Sequence, residues 1–145
     1  MGITKSSEEL LDILKSAQSF EQGRQEIEEY QITETLSETL NALAKAKKVK
    51  LANVMIRSGL KKAYFYSLFS GTRDNPSRDI LIQLGFGFEM SLDEVQGFLE
   101  RRGAAQLYPR IPRDGIIIYC FQRGMSLMDC DALLMENDEP LLTKE

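Results

Sequence analysis

Residues 54–71 read VMIRSGLKKAYFYSLFSG, and the rest of the chain is read outward from this stretch. Gly59 stands between two short apolar-periodic runs. Leu51, Val54 and Met55 fall at helical spacing before it, and Phe65, Leu68 and Phe69 do so after it. Two short helices around a glycine-containing turn make a helix-turn-helix, whose second helix fits a DNA major groove. At about 100° per residue, Phe65, Leu68 and Phe69 share one side of that second helix. The opposite face carries Ala63, Tyr66, Ser67 and Ser70, with Lys62 and Tyr64 on its flanks.

The charge distribution points the same way. The chain has 145 residues and a net charge of −4, which by itself argues against a polyanionic partner. Residues 1–40, however, hold three Lys/Arg against nine Asp/Glu (−6), residues 41–80 nine against two (+7), and residues 81–145 six against eleven (−5). The whole positive excess lies on the candidate motif, and for a polyanion the local field outweighs the net charge. Part of the lysine cluster at 45–50 also suits the negative end of a helix dipole.

Composition removes several other functions. Hydrophobic content of 43% and charged content of 28% are those of a soluble globular protein, with length for one domain and an extension. There is no histidine, so serine–histidine and cysteine–histidine nucleophiles are impossible. Cys120 and Cys130 alone cannot build a zinc site, and no carboxylate pair is singled out by its neighbours. The expectation is a protein that is not an enzyme and holds no metal or cofactor. No apolar run approaches the ~20 residues of a membrane span, and the first ten residues lack the build of a signal peptide. A cytoplasmic address with two buried thiols and no membrane contact is the expectation.

Taken in order, Ser6-x-x-Glu9 is a capping box opening a helix through Leu10, Leu11, Ile13 and Leu14. Residues 20–31 read as a loop or weak helix around Gly23. Thr35-x-x-Glu38 starts the next helix, with Leu36, Leu40, Leu43 and Ala44 inward. Pro76 ends the motif's second helix, and Ser77 caps a helix of about residues 78–86 that buries Ile80, Leu81 and Leu84. Gly85-Phe-Gly-Phe88 reads as a corner. Ser91-x-x-Glu94 is a third capping box, and Gly103 stops the helix that follows. Residues 115–121 (GIIIYCF) suit a strand by propensity, but charged ends and the lack of a partner strand favour a helix. Ser126 with Asp129 caps a last helix, and the tail from Glu136 is expected to fray. This divides the chain into an acidic helical arm (1–34), a helix-turn-helix domain (35–103) and a C-terminal helical extension packed on it (104–145).

With those residues in register, the sequence resembles the lambda-repressor-like helix-turn-helix proteins, the XRE family, over about residues 35–102. Gly59 matches the turn glycine and Gly71 the glycine closing the second helix of the motif. Val54, Leu60, Phe65 and Leu68 match buried apolar positions, while Pro76-Ser77 and Leu92/Glu94 match the starts of the fourth and fifth helices. The stretches 71–79 and 107–114 and the last helix are similar to a group of bacterial members that share an acidic arm and this extension. Met55 stands where the family has a small alanine, Leu51 where it has glutamine, and Lys61 where Ser or Thr caps the recognition helix. The resemblance implies an all-α, five-helix fold with an N-terminal arm and a C-terminal two-helix extension.

It also implies sequence-specific binding of double-stranded DNA by a homodimeric transcriptional regulator that reads two half-sites. Lys62, Ala63 and Ser67 would meet base edges, Lys62 on guanine and Ala63 on a thymine methyl. Ser70 and Arg73 would touch phosphates or edges, and Lys61, Arg57, Arg78 and the Tyr66 hydroxyl phosphates. The fifth helix and the Ile116–Phe121 run are the expected dimer surfaces. Acidic total charge and the departures at Leu51, Met55 and Lys61 support the alternative, a protein-interaction module that keeps the fold without binding DNA.

Overall fold

Serine and threonine residues set most of the helix starts. In the computed structural model, which describes residues 6–28 and 34–143, all the regular structure is helical: nine helices and no strand among the described residues. They are α1 (Ser7–Ser16), α2 (Phe20–Ile27), α3 (Leu36–Lys47), α4 (Leu51–Ser58), α5 (Lys62–Ser70), α6 (Arg78–Gly87), α7 (Leu92–Arg101), α8 (Pro112–Gln122) and α9 (Leu127–Glu136). The capping boxes read at Ser6, Thr35 and Ser91 all form, and Ser77 and Ser126 accept from Ile80 N and Asp129 N. Each such cap satisfies one N–H that the helix cannot, worth ~1 kcal/mol.

The chain divides into two units, Met1–Thr33 and Glu34–Glu145. In the first, α1 and α2 form a hairpin; residues 20–27 are a full helix, where the sequence suggested a loop or weak helix. Gly23 is buried because α2 crosses α1 closely there: a Cβ would lie 3.0 Å from the Ala17 Cβ. The remainder of the 20–31 reading, residues 29–31, lies outside the described residues.

The second unit is built round α6. Every residue from Leu81 to Gly87 is buried, because α4, α7 and α9 all pack on this helix. Gly85 and Gly87 therefore do not turn a corner, as the sequence suggested; they lie inside α6 and let its neighbours approach. A Cβ on Gly87 would sit 2.7 Å from the Val54 carbonyl oxygen, and one on Gly85 2.8 Å from Val95 Cγ2. The helix α4 and its partner also cap each other. Gln83 Nε2 donates to the Ser58 carbonyl at 3.0 Å, and Arg57 Nε donates to the Gly87 carbonyl at 2.9 Å.

Residues 115–121 lie within α8, as the charged ends indicated. Ile117, Cys120 and Phe121 are buried, and Phe121 stacks on Phe86 with centroids 4.1 Å apart. The run is thus largely consumed by the core of its own chain, leaving Tyr119 exposed beneath the Arg123 guanidinium at 3.7 Å. The tail does not fray after Glu136. Leu142 is fully buried, and the Asp131 carboxylate accepts from Leu142 N (2.7 Å), Thr143 N (3.3 Å) and Thr143 Oγ1 (2.6 Å).

Two Arg-Asp dipeptides fasten the extension. Arg78 at the start of α6 forks onto Asp114 of α8 (3.1 and 2.8 Å), and Arg113 of α8 forks back onto Asp79 of α6 (3.0 and 3.1 Å). Arg113 also donates to the carbonyls of Pro140 and Leu141, which holds the tail in place. Bidentate pairs of this kind fix both distance and orientation.

Candidate nucleic-acid interface

The turn between α4 and α5 has a steric and a conformational reason for Gly59. Its φ of +68° is left-handed, and a Cβ there would lie 2.9 Å from Leu127 Cδ2 of α9. The chain then enters α5 at Lys61, whose carbonyl accepts from Phe65 N at 2.8 Å and whose side chain caps nothing.

The inner side of α5 is fixed by apolar burial and by its C-terminal carbonyl. Phe65, Leu68 and Phe69 are buried, with the Phe65 and Phe69 rings 4.7 Å apart. The Phe69 carbonyl accepts from Asn41 Nδ2 at 3.0 Å and from the Ser37 hydroxyl, both on α3. Sequence periodicity did not single out Ser37 and Asn41. Their spacing of four places both on one helical face, which was the available signal.

The outer side is open. Lys61, Lys62, Ala63, Tyr66, Ser70 and Arg73 are exposed. Tyr66 lies edge-on to Phe65 (5.2 Å, 89°) and is 37% exposed. Tyr64 is half-buried at the rim, and the Arg73 guanidinium lies over its ring at 5.2 Å. Ser67 is half-buried and donates to the Tyr64 carbonyl at 2.6 Å; Ser70 donates to the Ser67 carbonyl at 3.2 Å. The Ser67 proton is taken and its oxygen is placed as an acceptor, whereas the Ser70 hydroxyl also accepts from Thr72 N at 3.4 Å and pairs with the Thr72 hydroxyl at 3.0 Å.

Arg57 and Arg78 stand apart from this group. Arg78 has its Nε on the Ala105 carbonyl and its terminal nitrogens on Asp114 and the Gln106 carbonyl. Arg57 gives its Nε to Gly87 and faces Glu89 at 3.9 Å. Both were expected at phosphates from their positive charge. The tertiary structure instead uses Arg78 to bind α6 to the extension, and directs Arg57 to the far end of α6.

Of the cations in residues 41–80, Lys47 is also paired, with Glu94 at 2.8 Å. Lys45, Lys48, Lys50, Lys61 and Lys62 have no described ion pair. Ser or Thr caps α3, α6, α7 and α9, whereas α4, α5 and α8 open at Lys50, Lys61 and Ile111 with no side-chain cap. In α4 the Asn53 N–H folds back on the Lys50 carbonyl at 3.0 Å, while the N–H groups of Leu51 and Ala52 in α4 and of Lys62 and Ala63 in α5 have no described acceptor, beside a lysine in each case. Among the described residues no group of His, Cys, Asp or Glu could hold a metal ion, and no helix is long and apolar enough to cross a membrane. Cys120 and Cys130 are buried free thiols whose pKa values burial pushes up, so they stay protonated.

No protein-family model matches the chain, and no curated protein or solved structure matches it either.

Proposed function

We propose that the chain binds double-stranded DNA sequence-specifically through α4, the Gly59 turn and α5, as a lambda-repressor-like, homodimeric transcriptional regulator. The observation that carries this reading is the outer face of α5. Lys61, Lys62, Ala63 and Tyr66 stand exposed and without ion pairs on a helix whose inner face is locked by Phe65, Leu68 and the α3 cap on Phe69. A rigid helix with a free basic and small-residue face suits groove entry: Lys62 to guanine acceptors, Ala63 to a thymine methyl. Lys61, Arg73, Ser70 and the Tyr66 hydroxyl fit phosphates, with Ser67 accepting at the edge of the contact. The uncapped starts of α4 and α5, each beside a lysine, supply N–H groups and charge for two further phosphate oxygens.

A fluorescence anisotropy titration tests this. The full chain is titrated onto a pool of random-sequence duplexes at rising salt, alongside Lys61→Ala/Lys62→Ala. The expected result is affinity that falls steeply with salt, with a slope shallower by about 1 in the variant, the share of the Lys61 phosphate contact. No binding to the pool even at low salt would overturn the reading and favour a protein-interaction module on the same helices.

A further inference from the structure

A cleft of about 670 Å³ opens between the end of α4, the end of α6 and the turn joining α8 to α9, on the extension's side of Gly59. We propose that it binds a medium-chain alkyl carboxylate, with the chain laid along the apolar wall and the carboxylate on Arg57.

The wall is apolar and adaptable. Ile56, Phe86, Met90, Phe121, Met125 and Met128 line it, so three of the chain's six methionines converge here. Unbranched thioether side chains re-pack round flexible apolar guests, and the volume is that of a small-molecule site. Ile56 and Met128, 72% and 81% exposed, place two large apolar side chains at the mouth of the cleft, where a ligand can cover them.

The polar groups of the cleft select the head group. Arg57 places only its Nε, on Gly87; its two terminal nitrogens have no described hydrogen-bond partner, which is the fork a carboxylate takes bidentately. Ser126 caps Asp129 N, while the N–H groups of Leu127 and Met128 at the start of α9 have no described acceptor, so the positive end of that helix also faces the cleft. The two carboxylates present do not oppose this. Asp131 is saturated by Leu142 and Thr143. Glu89 is 72% exposed on its side chain and meets Arg57 at 3.9 Å, a loose pair that a ligand carboxylate displaces into solvent.

The test needs no nucleic acid, so it is independent of the DNA reading. The full chain, with its methionine methyls labelled for NMR, is titrated with decanoate, decanol and decylamine. The expected result is saturable binding of decanoate at least about tenfold tighter than decylamine, with shifts at Met90, Met125 and Met128 and none at Met55 or Met135. Arg57→Gln should reduce decanoate to the affinity of decanol. Met128→Glu, at an exposed position the fold tolerates, should weaken decanoate about fivefold or more with thermal unfolding unchanged. Equal or tighter binding of decylamine, unchanged preference in Arg57→Gln, or absence of saturable decanoate binding would each overturn the proposal.

Discussion

The arginines that open α6 and α8 and the lysines that open α5 bring the same charge into opposite environments. Arg78 and Arg113 reach carboxylates on the facing helix, with Asp114 only 4% exposed on its side chain, and their remaining donors take backbone carbonyls. Lys61 and Lys62 reach nothing described and stay in solvent. The difference teaches how to divide a basic segment. Guanidinium forks with buried acceptors hold the molecule together, and lysines on an open helix face stay in solvent, where the proposed function uses them.

That division can be broken experimentally. Asp114→Ala should be the most damaging change, because it orphans the Arg78 fork and the Tyr108 N–H, which donates to Asp114 Oδ2 at 3.0 Å. A loss of about 3 kcal/mol in urea unfolding is expected, below the fully buried limit since Arg78 is one-quarter exposed. A loss under about 0.5 kcal/mol would mean the clamp is not structural. Leu142→Ala comes next, at about 2–3 kcal/mol by the same measurement, since the tail side chain is wholly buried. An unchanged midpoint would mean the tail does not dock.

Lys61→Ala/Lys62→Ala should leave the unfolding midpoint within about 0.5 kcal/mol while weakening DNA, the converse of Asp114→Ala. A large stability loss in this variant would erase the contrast. The smallest effect belongs to Glu94. Its carboxyl lies below the ordinary value of 4.5 mainly through the Lys47 hydrogen bond, then the Ser91 cap. A lowered acid stabilises the fold above about pH 4.5 and loses that contribution as pH falls through its folded value. Glu94→Gln should therefore flatten the acid limb slightly, by under about 0.5 kcal/mol for so exposed a pair. An unaltered acid limb would make the Lys47–Glu94 contact incidental.

Local signals served the sequence reading well where the chemistry is local. The Ser and Thr caps, the αL glycine at 59 and the 3.6-residue stripe of α5 depend on neighbours within a turn, and each appears where the residues placed it. Residues 85–88 misled because glycine marks both corners and close crossings, and only the approach of Val54 and Val95 distinguishes them. The protein partners of the arginines lie at longer range still. The Arg-Asp dipeptides at 78–79 and 113–114 were visible, yet their exchange of partners spans more than thirty residues of chain.

From the sequence alone come the helical character of most of the described chain, the starts of the helices that Ser or Thr caps at 6, 35, 77, 91 and 126, the inward side of α5, and the gathering of positive charge on residues 41–80. These follow from backbone N–H satisfaction, side-chain periodicity and composition, which act within a few residues. Only the packed helices show which cations have no ion pair, that Ile117, Cys120 and Phe121 of the 115–121 run enter the core, that the tail docks, and that a methionine-lined cleft opens beside the turn. Those outcomes are set by which surfaces meet when the helices pack, and a charge or an apolar run shows its use only once its neighbours across the fold are in place.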